Sequence, residues 1–157
     1  MQQPDNDREH SLVDCVREVT IQYRGQGLRT GPNIRRPEEA VSLAKRAVQD
    51  DSKEHFLAIY LDARHRALAR AVVSVGTATA SLVHPREVFQ PAVNLGAVAV
   101  IVLHNHPSGD ETPSAEDRSV TKRLREAGEV LGISLVDHVV WTREGDFYSF
   151  ASAGELS

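Results

Sequence analysis

The sequence contains a single cysteine, Cys15, so it cannot form an intramolecular disulfide framework. A chain without disulfides fits a reducing compartment, and we interpret this thiol as buried or inert. No apolar stretch reaches the roughly 18 residues of a membrane helix, and the opening MQQPDNDREHS is too polar for a signal peptide. These absences predict a protein that is cytoplasmic and does not bind a membrane.

The chain also lacks an excess of positive charge. The formal net charge is -4 at pH 7, which argues against a generally basic surface for nucleic acid. Several arginines do cluster in GLRTGPNIRRP, but such a loop is more often a solvated connection than a track for phosphates. The composition therefore disfavours a broad nucleic-acid interface and leaves only a local basic patch open.

The length of 157 residues corresponds to one domain with short extensions. Residues 1–10 are almost devoid of apolar side chains and predict a loose tail, whereas CVREVTIQYRG at 15–25 favours a strand at a sheet edge. We therefore expect a tail and a possible edge strand over 1–34, followed by a domain over 35–152.

The rest of the chain alternates helical and strand-like segments, which predicts a mixed α/β fold. Helices are indicated by RPEEAVSLAKRAVQD, by HPREVFQPAVNLG, in which Pro91 should kink or shorten the helix, and by SVTKRLREAGEVLG. Strands are indicated by EHFLAIYLD, ALARAVVSVG, TASLV, AVAVIVL, ISLVDHVVW and DFYSF. The most apolar of these runs, AVAVIVL, should be the central strand.

The segment LHNHPSGDETPSAED begins where this central strand ends. Residues i and i+2 of an extended chain point to the same side, so His104 and His106 can converge on one ion while Asn105 faces away. A loop rich in glycine and proline can then return Asp117, at the start of the next helix, beside them. Two imidazoles and one carboxylate would leave a tetrahedral Zn²⁺ one open position, as in catalytic sites.

A second interpretation of the same residues is purely structural. Ser114 followed by Asp117 also fits a helix N-terminus, with the serine as cap and the acid near the helix dipole, and both interpretations can hold together. The remaining histidines have no paired spacing and are expected to be solvated or locally bonded: His10, His55, His65 and His84. His138, in LVDHVV, is more typical of a hydrogen-bonded core residue and is only a minor candidate ligand.

His104, His106, Pro107, Ser114 and Asp117 together resemble the JAMM motif of the JAB1/MPN metalloproteases. The strings HPREVF, HNHPSGDETPSAED, TKRL, LGISLVDHVV and FYSF, in this order, are similar to the RadC family of bacterial JAB-domain proteins over about residues 35 to 150. The resemblance implies a JAB1/MPN-type single domain, in which helices flank a central mixed β-sheet.

The resemblance also implies a division of roles. Zn²⁺ would be held by His104, His106 and Asp117 with a water as the fourth ligand, Glu54 would be the general base, and Ser114 would help to stabilise the oxyanion. The residues alone leave Glu87 and Glu111 as equal candidates for the base. The implied reaction is hydrolysis of an amide or isopeptide bond in an unknown peptide or protein substrate, by a metallopeptidase or a deconjugase-like enzyme.

Two other functions compete with hydrolysis as interpretations of this sequence. One is a DNA repair or recombination accessory protein, although the roughly 35 residues before RPEEA are too few for the helix-hairpin-helix domain that RadC proteins commonly carry. The other is a non-catalytic scaffold that keeps zinc for stability. The string HNH does not indicate an HNH nuclease, because those enzymes are named for separated residues in a different metal module. The oligomeric state is unknown from the sequence.

Overall fold

A computed structural model describes residues 31–76 and 83–156. In this part of the chain, the strands are β1 (Glu54–Leu61), β2 (Ala67–Gly76), β3 (Ala99–Asn105), β4 (Ser134–Trp141) and β5 (Phe147–Ser149). The helices are α1 (Pro37–Lys45), α2 (Pro85–Leu95) and α3 (Ala115–Leu131). The predicted α/β domain, with a central mixed sheet flanked by helices, is confirmed.

The strands form one sheet in the order β2-β1-β3-β4-β5. β3 and β4 are parallel and are joined through α3, while the other neighbouring pairs are antiparallel. β3 is the central strand, as its apolar sequence predicted, and every one of its residues is buried because helices cover both faces of the sheet. The end of β3 therefore lies in the middle of one sheet edge, where the candidate site was expected.

Side chains on alternate positions of the sheet divide the interior into two cores. The α2/α3 core contains Phe56, Ala58, Tyr60, Val100 and Val102 of the sheet, packed against Val88, Phe89, Val120 and Leu124 of the two helices. The α1 core contains Leu57, Ile59, Leu61, Ile101, Leu103, Val139 and Trp141, packed against Ile34, Ala40, Val41 and Ala44. His104 lies on the side of the α2/α3 core and Leu103 on the side of the α1 core, so neighbouring residues of β3 face different cores.

The helix ends follow the predicted signals, with one exception. α1 has Pro37 in its first turn, and α3 is capped by Gly132, whose φ of 68° is the left-handed conformation that glycine adopts without strain. α2 continues through Pro91 to Leu95, so the expected shortening of this helix does not occur. Packing of Val88 and Ala92 on either side of the proline keeps both turns on the sheet.

A second glycine of α3 is required by close packing rather than by its backbone angles. A Cβ atom on Gly128 would lie 2.3 Å from the carbonyl oxygen of Ile133 and 3.2 Å from the Phe89 ring. The Ile133 N–H also donates to the Gly128 carbonyl at 2.9 Å. Gly128 therefore allows the chain leaving α3 to fold directly against the helix and enter β4.

Two strand predictions, at 15–25 and 79–83, fall wholly or mainly on residues outside the described part of the chain, and so does nearly all of the predicted tail. None of the helices among the described residues is long and apolar enough to cross a membrane.

Candidate metal centre

The candidate centre lies where β3 ends and α3 begins. His104 is fully buried at the end of β3, and Asp117 is buried in the first turn of α3. Between them, the loop turns at Gly109, whose φ is 84°, and is held by a hydrogen bond from the Thr112 N–H to Asp110 Oδ1 at 2.9 Å. This loop returns Asp117 to the two histidines, as the Gly/Pro-rich sequence predicted.

The three predicted metal ligands are brought together. His104 Nε2 lies 3.0 Å from His106 Nε2 and 3.1 Å from Asp117 Oδ1, and His106 Nε2 lies 3.5 Å from Asp117 Oδ2. Tetrahedral ligands placed about 2.1 Å from Zn²⁺ are separated by roughly 3.4 Å, so the donor set fits such an ion in chemistry and in spacing. Among the described residues, His104, His106 and Asp117 form the group of three side chains with this property.

Asp117 is oriented by Ser114. Asp117 Oδ2 accepts hydrogen bonds from the backbone N–H and the hydroxyl of Ser114, both at 2.7 Å, and the Asp117 N–H donates to Ser114 Oγ at 3.1 Å. Burial alone raises the pKa of the Asp117 carboxyl, but hydrogen bonds from His104 and His106 hold that pKa well below its usual range. The predicted helix cap and the predicted ligand position therefore coexist, and Oδ1 is directed at His104.

His106 forms the exposed side of the group. Its Nδ1–H donates to the carbonyl of Asp110 at 2.6 Å, which leaves Nε2 directed at His104 and Asp117. The hydrogen bond with Asp117 raises the pKa of His106, against the opposing effect of burial. The side chain is 17% exposed, whereas His104 is 0% exposed, so solvent or a substrate reaches the centre from the side of His106.

Glu54 opens β1, the strand that pairs with β3 through Phe56 opposite His104. Extending this antiparallel register by two residues brings Glu54 opposite His106. Partial burial raises the pKa of the Glu54 carboxyl, and the nearby charges of His104 and His106 oppose that rise, which puts Glu54 in the electrostatic environment of the centre. Glu87, another candidate for the general base, lies in the first turn of α2. Its carboxylate accepts a hydrogen bond from the backbone N–H of His84 at 3.5 Å.

The backbone on both sides of Glu54 is tied to β3 by Asn105. The side-chain oxygen Oδ1 of Asn105 accepts a hydrogen bond from the backbone N–H of His55 at 2.7 Å. The side-chain nitrogen Nδ2 of Asn105 donates to the backbone carbonyl of Lys53 at 2.9 Å. Because Asn105 lies between the two histidines, its side chain points to the opposite side of β3, as the alternation predicted. The residue that separates the ligands thus fixes the strand that carries the candidate base.

Two buried residues, His138 and Thr121, form hydrogen bonds behind His104 that the sequence did not predict. His138 Nε2 lies 2.9 Å from His104 Nδ1, and Thr121 Oγ1 lies 2.6 Å from His138 Nδ1. His138 is fully buried, which lowers its pKa well below the ordinary value, and it lies outside the group of three donors. It is the hydrogen-bonded core residue that the sequence favoured.

Thr121 could have been found from the sequence, because it lies four residues after Asp117 on one helix face. The contact of His138 with His104 depends on the β3–β4 register, in which Val102 is opposite His138, and no local pattern encodes this register. His55, whose Nδ1 lies 2.9 Å from the carbonyl of Lys53, is locally bonded as expected.

A family model described as the RadC-like JAB domain matches residues 34–155. A UPF0758 protein of Geobacter sulfurreducens is 48% identical over 120 residues, which are 76% of this chain and 52% of that protein. A UPF0758 protein of Trichlorobacter lovleyi is 42% identical over 134 residues, 85% of this chain and 58% of the relative. A third, from Thermotoga maritima, is 53% identical over 98 residues, 62% of this chain and 44% of the relative.

The chain therefore spans about half the length of the curated relatives it matches. The match includes the whole candidate centre, from Glu54 to His138.

Proposed function

The chain belongs to the family of RadC-like JAB domains, and we propose that it is a metal-dependent hydrolase that uses Zn²⁺ to cleave an amide or isopeptide bond in a peptide or protein. The observation that carries this proposal is the convergence of three donor atoms of His104, His106 and Asp117 at one sheet edge, with Glu54 beside them. Two imidazoles and one carboxylate are a typical catalytic zinc ligand set, because they leave a position open.

When bound, Zn²⁺ would supply Lewis-acid chemistry, which polarises a carbonyl group and makes water more acidic. His104 would hold the ion from the buried side and His106 from the exposed side. Asp117 would contribute Oδ1 and a negative charge, because its Oδ2 is already occupied by Ser114. This division leaves the open side of the centre for a substrate.

Glu54 would act as the general base. Its carboxylate would accept the proton of the attacking water and return it to the departing amine nitrogen, which balances the proton over the reaction. The half-buried position of Glu54 suits this role, since a carboxylate removed from bulk water has a raised proton affinity. Ser114 would assist the oxyanion only if its hydroxyl turned away from Asp117, to which it donates at 2.7 Å.

Two features of the charge distribution argue against a DNA-binding accessory protein. Several arginines of the described residues are already paired with acids, among them Arg66 with Asp62, Arg118 with Glu155 and Arg143 with Asp51. The whole chain also has a net charge of -4. A track for phosphates needs free positive charge along one face, and these pairings reduce it.

The proposal is tested by measuring zinc content and hydrolysis in the same preparations. The chain purified without chelators should hold about one zinc ion, and it should cleave members of an unbiased library of peptides and isopeptide-linked substrates. Glu54→Gln should keep the zinc and lose roughly 10²-fold or more in rate, because the amide cannot accept a proton.

Glu87→Gln is the matched control, since it removes a carboxylate engaged in helix capping. Full zinc loading without hydrolysis of any substrate would instead favour the zinc-stabilised scaffold. DNA binding that weakens steeply with salt would favour the accessory protein.

A further inference from the structure

A buried chain of hydrogen bonds leads away from the candidate centre, and the proposed hydrolysis gives it no role. Thr121 Oγ1 lies 2.6 Å from the carbonyl oxygen of Asp117 and 2.6 Å from His138 Nδ1, and His138 Nε2 lies 2.9 Å from His104 Nδ1. The side chains of Thr121, His138 and His104 are all buried. In such a chain, the direction of the first hydrogen bond fixes the direction of the others.

The direction follows from the number of hydrogens that each group carries. The Asp117 carbonyl can only accept, so the Thr121 hydroxyl donates its single hydrogen there, and Thr121 Oγ1 must accept the hydrogen of His138 Nδ1. Full burial favours the neutral imidazole, which carries one N–H. His138 Nε2 therefore has a free lone pair, and it accepts the hydrogen of His104 Nδ1.

We infer that Thr121 and His138 are positioning residues that keep the hydrogen of His104 on Nδ1, so that the lone pair of Nε2 is directed at the metal position between His106 and Asp117. The consequence of this arrangement is tighter metal binding, and that consequence rests on the proposed function. With the reverse arrangement, His138 would donate from Nε2 and the hydrogen of His104 would lie on Nε2, where it would block coordination. Metal ligands of the histidine type commonly have such a partner for the second ring nitrogen.

Ring stacking holds the two imidazoles independently of these hydrogen bonds. The Phe56 ring stacks on His104 with an interplanar angle of 12°, and the Phe150 ring stacks on His138 with an angle of 8°. Because ring orientation has this second support, the loss of one hydrogen bond need not displace the rings. A substitution of Thr121 can therefore change which ring nitrogens carry hydrogens without changing how the two rings pack.

The first test locates the hydrogens in the zinc-free chain. Long-range ¹H–¹⁵N correlation spectra of chain labelled with ¹⁵N-histidine should show His104 with a hydrogen on Nδ1, and His138 with a hydrogen on Nδ1 and a bare Nε2. A hydrogen on Nε2 of His138, or a bare Nδ1 of His104, would overturn the inference. In Thr121→Val, which has nearly the same shape but no acceptor, His138 should shift toward its Nε2–H form and His104 toward a bare Nδ1, and Thr121→Ser should restore the wild-type spectra.

The second test measures zinc affinity by competition with a chromophoric chelator. Thr121→Val should bind zinc about 10-fold more weakly than the wild-type chain, at the low end of the loss seen when the direct partner of a ligating histidine is removed, because Thr121 acts on His104 through His138. Thr121→Ser should bind close to the wild-type affinity, and equal affinities for the valine and serine variants would overturn the inference. If Thr121→Val does not fold, His138→Gln, which keeps an acceptor for His104, should bind zinc more tightly than His138→Phe, which keeps only the ring.

These two tests distinguish failure of the inference from failure of the proposed function. A wild-type chain that binds no zinc would contradict the proposed function, while its spectra would still decide where the hydrogens lie. A wild-type chain that binds zinc while zinc-free His138 carries its hydrogen on Nε2 would contradict the inference alone.

Discussion

The two sides of the sheet use polar residues differently at the edge where β3 ends. On the side of the α2/α3 core, His104 directs a ring nitrogen at His106 and Asp117, and these donors converge on one position. On the side of the α1 core, Asn105 uses both ends of its amide to bind the backbone at Lys53 and His55. The first arrangement can hold an ion, whereas the second only fixes strands.

The difference shows how one strand can serve chemistry and stability together. Leu103 and His104 are neighbours, are both fully buried, and lie on opposite faces of β3. Because the faces alternate, a change on one side leaves the packing of the other side largely in place. Substitutions on the two sides should therefore have separable effects on metal binding and on folding, and the four experiments below test that separation.

The largest effect is expected from zinc itself. At a free zinc concentration a thousand times the dissociation constant, the wild-type chain should gain about 4 kcal/mol in free energy of unfolding, because the folded state binds the ion and the unfolded state does so poorly. His104→Ala should lose this gain, since it removes one of three ligands. Thermal melts of both chains with zinc and with a chelator provide the measurement, and an equal zinc-dependent shift in His104→Ala would contradict the ligand assignment.

Leu103→Ala tests the opposite face of the same strand. Removing this fully buried side chain from the α1 core should cost about 3 kcal/mol of unfolding free energy, measured by urea denaturation of the zinc-free protein. Zinc affinity should stay near the wild-type value. Leu131→Ala, at a side chain that is 49% exposed, is the matched control and should have a much smaller effect. A loss of zinc affinity in Leu103→Ala would show that the two faces are coupled.

Gly128→Ala tests stability on the same side as the candidate centre but away from its ligands. Alanine is the better helix former by about 1 kcal/mol. The contact of its Cβ with the Ile133 carbonyl should nevertheless prevail and destabilise the protein by about 2 kcal/mol. Val130→Ala, at a side chain that is 87% exposed, should change stability by less than about 0.5 kcal/mol. If Gly128→Ala were more stable than the wild-type chain, the backbone at Ile133 would have to move away from the added methyl group at little cost.

Ser114→Ala should have the smallest effect on stability, about 1 kcal/mol, because it removes a helix cap and leaves the backbone N–H of the same residue bonded to Asp117. Ser114→Thr keeps the hydroxyl and should restore the stability. Denaturant titration measures the stability of both variants. An unchanged unfolding midpoint in Ser114→Ala would show that the Ser114 cap does not help to hold Asp117 in place.

Local patterns predicted much of the fold, and long-range pairing explains most of what they missed. The apolar run of β3, the serine at the start of α3 and the glycine at its end each carry their structural meaning within a few residues. The location of Glu54 beside His106 and of His138 behind His104 depends on the registers of β1 and β4 against β3. Nothing in the neighbourhood of Glu54 distinguishes it from Glu87 or Glu111, so only its resemblance to a known motif selected it. Its role and that of Ser114 remain predictions.

The tie between Asn105 and the start of β1 has a consequence for the order in which the chain folds. The metal ligands all lie within residues 104–117, so one loop closure assembles them, whereas the bonded residues His55 and Asn105 are 50 positions apart. Pairing at that separation carries a larger entropic cost and comes after local contacts in a typical folding sequence. A chain in which the loop has formed before β1 joins β3 has the candidate ligands without the candidate base, so the proposed hydrolytic centre is complete only when the sheet is complete.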